Sequence, residues 1–452
     1  MLGVPPLRGG THFPCSLLQG TSIGMVPRHL CQVGEVWGRM SLTECCGKNI
    51  LLPSFAVFPS CCHQACEMSD PGKPNVKVLF ALTLVHFTGD FYSSFTIPLF
   101  PLFVQKIGLS LTQIGVISGV MRLLAFIVQP SVGYLADRYS TRHFILLGVL
   151  MPVVFIPFSG IATGFWSLLV LVALGAIGSS MFHPSVTGLV PIYSGNKTGF
   201  AMSVFNTGGT LAFGVGPLFI TWYATRFGLN GLPFTVALGL LVVWYLHRVV
   251  PVPQSEGLGR MGFWGSLKYS LGSVWKPIFC IWTVMVVRAI IGQSFLTFMP
   301  VHYVEKGFSV FSAGVMYSLF TVAGTASGLI AGHVSDRVGF RPIFIFTFLF
   351  MPPVLLLFLS LQGLWVYLGS AMAGAMVFAT LPLGVAMAQM LAPKSRAMVA
   401  SLMMGLAFGL GGVVSPLVGK LAELYSMQTV LTGVSFLPLL SLPLILTFPR
   451  VR

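Results

Sequence analysis

From about residue 77 onward the chain alternates long apolar runs with short polar joints. Crossing the ~30 Å of hydrocarbon in a bilayer takes about 20 predominantly apolar helical residues. Twelve runs come near that length: 77–104, 111–135, 143–161, 164–192, 199–223, 231–250, 276–301, 310–333, 341–360, 363–391, 397–422 and 428–448. Joints such as "SGNKTG" (Ser194 to Gly199) and "APKSR" (Ala392 to Arg396) separate them, and a longer polar stretch divides the set six and six. The pattern predicts an all-α membrane protein with twelve transmembrane helices in two pseudo-symmetric six-helix bundles. Its parts are an N-terminal half over 68–250, a central loop over 251–275 and a C-terminal half over 276–452.

Composition agrees with that picture. Of 452 residues, 55% are hydrophobic and 8% charged, and the mean hydropathy is +0.89. Soluble domains carry about 25% charged residues, so an ordinary soluble enzyme is excluded. The net charge of +15 takes its meaning from its placement. An even span count puts both termini on one side, where fifteen lysines and arginines fall between Lys73 and Arg452; the other side has Lys106, Arg226, Lys306 and Lys420. The positive-inside rule then places both termini in the cytoplasm, with the inner (plasma) membrane of a bacterium as the expected location. Basic residues arranged this way call for a lipid bilayer and not a nucleic acid as partner.

The first 67 residues differ in kind. They hold Cys15, Cys31, Cys45, Cys46, Cys61, Cys62 and Cys66, while Cys280 stands alone in the apolar body. Paired CxxC ligand sets are missing, so no metal is expected there, nor is a disulfide scaffold. This Cys-rich leader is read as disordered or not native, with translation starting at Met68 in "MSDPGKPNVKVLF".

The two halves repeat. "GYLADRYSTR" (Gly133 to Arg142) returns as "GHVSDRVGFR" (Gly332 to Arg341), and Gly115 matches Gly314 and Pro217 matches Pro416 at the same offset. A constant offset across several helices argues for duplication of a six-helix unit, which suits a carrier rocking about a central site. The repeated G-x-x-x-D-R-x-x-x-R resembles the signature loop of the major facilitator superfamily, and the resemblance runs from about residue 76 to the C-terminus. Within that superfamily, "SSMFHPSVTG" (Ser179 to Gly188), "SVFNTGGTLAFGVGPL" (Ser203 to Leu218) and the H-x-x-x-D of span 1 are similar to fosmidomycin-resistance-type efflux proteins. The resemblance implies a cytoplasmic gate at Gly133, Asp137, Arg138 and Arg142, and at Gly332, Asp336, Arg337 and Arg341. The glycines would let helices approach closely there; these charges could also serve only to fix topology. Gly208, Gly209, Gly214, Gly216 and Pro217 in span 5 look like the family's antiporter motif, although close packing and a kink account for them equally well.

A charge at the bilayer centre costs about 2.5–3.5 kcal/mol on insertion scales, so it tends to face a partner or a water-filled cavity. Of seven acidic residues after Met68, only Asp90 lies well inside a span. Arg122 in span 2 and Arg288 in span 7 are the deep cations, joined by His86 and His183. His86 and Asp90, at i and i+4, share one helix face and are the candidates for proton coupling. The alternative is that Asp90 only neutralises Arg122. Arg122, His183, Asn206, Arg288 and Gln293 are the candidate substrate contacts, though His183 before Pro184 could instead serve carbonyls freed by a kink.

The function expected is a secondary active transporter working by alternating access: a monomer, without cofactor, that exchanges protons for a small drug or metabolite, an anion being one candidate. Proton-coupled uptake of a nutrient or anion is the alternative, and a non-transporting receptor is a third. No G-x-x-x-x-G-K-[ST] loop is present for a primary pump. Neither H-E-x-x-H nor an intramembrane carboxylate pair is present for an enzyme.

Overall fold

The computed structural model describes residues 73–138, 142–251, 272–392, 399 and 402–449. The leader, most of the central loop, the 393–396 joint and the side chains at 133–138 lie outside the described residues. Every described element is helical. Among the described residues, eleven stretches are long and apolar enough to cross a membrane. Span 1 is a broken helix: Val76–Ser93 bears Lys77, His86 and Asp90, a 3-10 turn covers Ile97–Leu99, and Phe100–Ile107 completes the passage. Pro98 and Pro101 stand at the second position of the segments they open, where a missing N–H costs least. Pro382, Pro416 and Pro438 restart spans 10, 11 and 12 in the same way.

Spans 2, 5 and 8 run as Leu111–Arg138, Thr198–Phe227 and Val310–Val338, each longer than its apolar run because the polar ends continue the helix. Span 4 is Phe165–Thr187 and span 7 is Trp275–Glu305. The duplication persists in side-chain chemistry. Lys106, ending span 1, donates to the Gly160 carbonyl (2.6 Å) and to Asn230 Oδ1 (2.9 Å). Lys306, ending span 7, donates to the Leu359 carbonyl (3.2 Å) and to Gln428 Oε1 (2.8 Å). Each lysine ties the end of its own half's first span to the third and sixth, occupying carbonyls left free where a helix stops.

The halves meet at the face opposite the termini. There span 2 packs on span 11 and span 5 on span 8. A Cβ on Gly115 would overlap the Ser415 backbone, and one on Gly119 would lie 2.9 Å from the Gly412 carbonyl oxygen, so these backbones touch because side chains are missing. Glu423 Oε1, at the end of span 11, accepts the Thr112 N–H at 2.7 Å. That first-turn N–H has no partner within its own helix, and the opposite half supplies one.

One apolar cluster runs through the N-terminal half and the far face, while Ile278, Met285, Phe344, Phe348, Met387 and Phe448 form a second cluster at the terminal end of the C-terminal half. The close approach expected at Gly332 is absent: a Cβ there would meet nothing within 4 Å. Gly332 lies inside span 8, before its end at Val338, and among the described residues nothing makes use of its missing side chain.

Candidate functional site

Span 1 positions His86 and Asp90 one turn apart on its buried face, and span 4 brings His183 to the same point. His86 Nε2 lies 3.2 Å from Asp90 Oδ2, and His183 Nε2 lies 3.2 Å from Asp90 Oδ1. Asp90 is 3% exposed and His86 8%, whereas the His183 side chain keeps 30% of its surface. The other ring nitrogens are committed: His86 Nδ1 to the Phe205 carbonyl (3.0 Å) and His183 Nδ1 to the Ser179 carbonyl (2.6 Å). A carbonyl only accepts, so each Nδ1 carries its hydrogen and donates.

Aromatic rings fix both imidazoles. Phe205 stacks on His86 with centroids 4.2 Å apart, and Phe182 stacks on His183 at the same separation. Gly209 of span 5 closes the remaining side; a Cβ there would sit 2.5 Å from His86 Nε2 and 2.9 Å from Asp90 Oδ2. The span 5 glycines therefore have packing duties: Gly208 meets Thr83, Gly209 the cluster and Gly214 Val322.

The possible pairing of Asp90 with Arg122 is not found. Arg122 Nε donates to Gln293 Oε1 at 2.8 Å, and Gln293 Nε2 donates to Ser118 Oγ (2.7 Å) and Thr297 Oγ1 (2.9 Å). This buried network joins span 2 to span 7 across the two halves, with a neutral amide in place of a carboxylate. Of the two ring nitrogens of His183, one serves the Ser179 carbonyl and the other faces Asp90.

Arg288 is fully buried, and among the described residues none of its three guanidinium nitrogens has a hydrogen-bond partner. Its Cζ lies 5.0 Å from the Phe408 ring centroid and 5.9 Å from that of Phe378; Arg122 Cζ lies 6.0 Å from the same Phe408 ring. Two cations thus flank one aromatic ring between the halves. Asn206 is exposed, two turns before Gly214, which meets Val322 of span 8.

Of the expected gate, Arg142 donates to the His247 carbonyl at 3.0 Å, tying span 3 to span 6. Asp336 and Arg337 are exposed, Arg341 is half-buried, and Asp336 makes no ion pair among the described residues. The side chains of Asp137 and Arg138 fall outside those residues. Sequence reasoning missed Glu423, set aside as a span-end charge, and His302, a buried histidine whose Nε2 lies 3.0 Å from Gln428 Oε1. The shared polarity of spans 7 and 12 could have flagged the second; nothing in the sequence singles out the first.

Comparison with known proteins adds the following. The sequence profile of the Major Facilitator Superfamily matches residues 79–416 and, separately, 305–451. The Fosmidomycin resistance protein of Escherichia coli K12 is 25% identical over 399 residues, covering 84% of this chain and 94% of that protein. The uncharacterised transporter YfnC of Bacillus subtilis is 24% identical over 384 residues, covering 82% and 93%. The fold is similar to that of a bacterial homologue of the human lysosomal transporter Spinster, in an inward-facing, occupied conformation. The TM-score is 0.70 at 16% identity, over 85% of this chain and 98% of that one.

Proposed function

The chain belongs to the major facilitator superfamily and is a secondary, alternating-access transporter of small molecules; from that premise we propose that it exports a small anionic compound in exchange for protons. The observation carrying the reading is the cluster of Asp90, His86 and His183. With both Nδ1 atoms donating to carbonyls, each Nε2 faces a carboxylate oxygen at 3.2 Å, and two acceptors at that distance need a proton between them. The cluster can therefore hold two protons in this geometry. Losing them turns two attractive contacts into repulsive ones and loosens spans 1, 4 and 5 at their common point.

The conformation supplies the second half of the cycle. The far face is closed by Gly115, Gly119, Gly412 and Glu423. With the termini cytoplasmic, we read this as the inward-facing state, in which protons leave the cluster and substrate enters. Gly133, Asp137, Arg138, Arg142, Gly332, Asp336, Arg337 and Arg341 are the residues proposed to draw the cytoplasmic ends together in the opposite state.

Arg288 and Arg122 are proposed to receive the substrate's anionic group, with Gln293 and Asn206 offering neutral contacts. A buried guanidinium without a partner is costly, and an anion bound to its planar fork removes that cost. Export, not uptake, is the direction favoured by similarity to a protein named for drug resistance. The test is a panel of small organic anions, fosmidomycin among them, applied to everted vesicles with a pH-sensitive dye. Export by proton exchange predicts dissipation of the gradient by at least one anion and none in vesicles bearing Asp90→Asn. Dissipation that is equal in both overturns the assignment of protons to Asp90.

A further inference from the structure

We infer that the His86–Asp90–His183 cluster is also a binding site for a divalent late transition-metal ion, of which zinc(II) is the type. The donor set is the first reason. Two imidazoles and one carboxylate suit borderline ions such as zinc, cobalt and nickel, and three protein ligands with one open position form a recurrent zinc arrangement.

The second reason is convergence. One ligand atom from each residue lies within 4.8 Å of the others. Tetrahedral zinc with bonds near 2.1 Å sets its ligands about 3.4 Å apart. With Asp90 Oδ2 as the ligand, one edge of the triangle, the 3.2 Å contact to His86 Nε2, is already close to that spacing. The other two edges both end on His183 and span at most 4.8 Å; they close by moving His183, whose side chain is the most exposed of the three and gives the ion its way in.

The third reason is orientation. A metal-bound histidine characteristically donates its other ring N–H to a carbonyl or carboxylate, which fixes the tautomer and aims the lone pair at the ion. Both imidazoles here do so, through Phe205 and Ser179. The stacked rings of Phe205 and Phe182 add an apolar wall behind the ligands. Finally, Gly209 keeps side-chain atoms off the ligands, since a Cβ there would crowd His86 Nε2 and Asp90 Oδ2. Sequence spacing gave no sign of this site, because His183 stands on a different helix from the other two ligands.

The inference stands apart from the transport reading, and its test reads binding and not flux. Cobalt(II) is titrated into the purified full chain in detergent, alongside Asp90→Asn, His183→Gln and Gly209→Ala variants of matched elution and unfolding temperature. The wild type is expected to take up one equivalent of cobalt with visible d–d bands of a low-coordinate nitrogen–oxygen site, displaced by zinc. A near-ultraviolet thiolate band marks any ion caught by the cysteines before residue 67 and is counted separately. Asp90→Asn and His183→Gln each weaken binding roughly tenfold or more. Gly209→Ala, which keeps every ligand but presses a methyl group against His86 Nε2 and Asp90 Oδ2, shifts the bands or weakens binding to a similar degree. Should a variant fail to fold, X-ray absorption on the zinc-loaded wild type decides: a shell with two imidazoles and an oxygen supports the site, and one without imidazole overturns it. No saturable d–d signal in the wild type, or a signal unchanged in both ligand variants, also overturns it.

Discussion

Replacing Arg288 with methionine should make the protein more stable and less able to transport. The guanidinium is fully buried, and its Nε, Nη1 and Nη2 all lack partners. Each unmet buried donor costs about 1 kcal/mol at the low end of the usual range. The two ring contacts, at 5.0 and 5.9 Å, return about 0.5 kcal/mol each. The substrate-free protein therefore carries about 2 kcal/mol of destabilisation at this one side chain. Methionine fills much of the same volume with an unbranched apolar chain, and exchanging buried charge for a well-packed apolar group is often neutral or stabilising by about 1–4 kcal/mol. Thermal unfolding in detergent should show the midpoint rising by several degrees in Arg288→Met, with flux of the substrate found in the vesicle panel abolished. A variant that melts several degrees lower would refute the reasoning, because Arg288 would then be satisfied by a partner such as a bound lipid or buried water. A variant that melts higher but transports normally would leave the energetics standing and remove Arg288 from the substrate site.

Other expectations follow from the same geometry. Glu423→Gln keeps an acceptor for the Thr112 N–H but loses its charge, and Glu423→Ala loses both; with this bond exposed, the alanine variant should weaken far-face closure by about 1 kcal/mol, or roughly fivefold in population. Cysteine labelling near the ends of spans 2 and 11 reads that shift, and unchanged accessibility rules out a latch. Gly412→Val places side-chain atoms where Arg122 Cβ lies, so it should hold the far face open and reverse the sidedness of labelling. Arg122→Lys retains charge but loses the planar fork and the Nε contact to Gln293, so anion binding should weaken several-fold while insertion is unaffected.

Much of the architecture was legible because hydrophobic length and a constant repeat offset are local properties. Span limits, the six-and-six division and the paired signature loops need only that each half fold alike. Pairings between helices were another matter. Asp90 and Arg122 were natural partners by charge, yet the fold gives Asp90 two imidazoles and gives Arg122 a glutamine. Which faces of spans 1, 2, 4 and 7 meet depends on helix rotation, and apolar-all-round helices leave rotation unmarked. Gly332 shows a further limit: a glycine in the sequence marks a place where a helix could approach, but not whether a neighbour is there. Glu423 was read as an ordinary edge charge because its partner is a backbone N–H, which no residue type announces.

The central claim is that protons held between Asp90 and its two histidines drive substrate movement. The direct measurement is substrate flux in proteoliposomes under an imposed pH gradient, compared with exchange at equal pH, for the wild type and Asp90→Asn. The account predicts that the wild type moves substrate against its concentration gradient while Asp90→Asn, inserted and folded, loses that uphill flux and keeps exchange. Uphill flux preserved in Asp90→Asn would contradict it and leave the cluster as a structural clasp between spans 1 and 4.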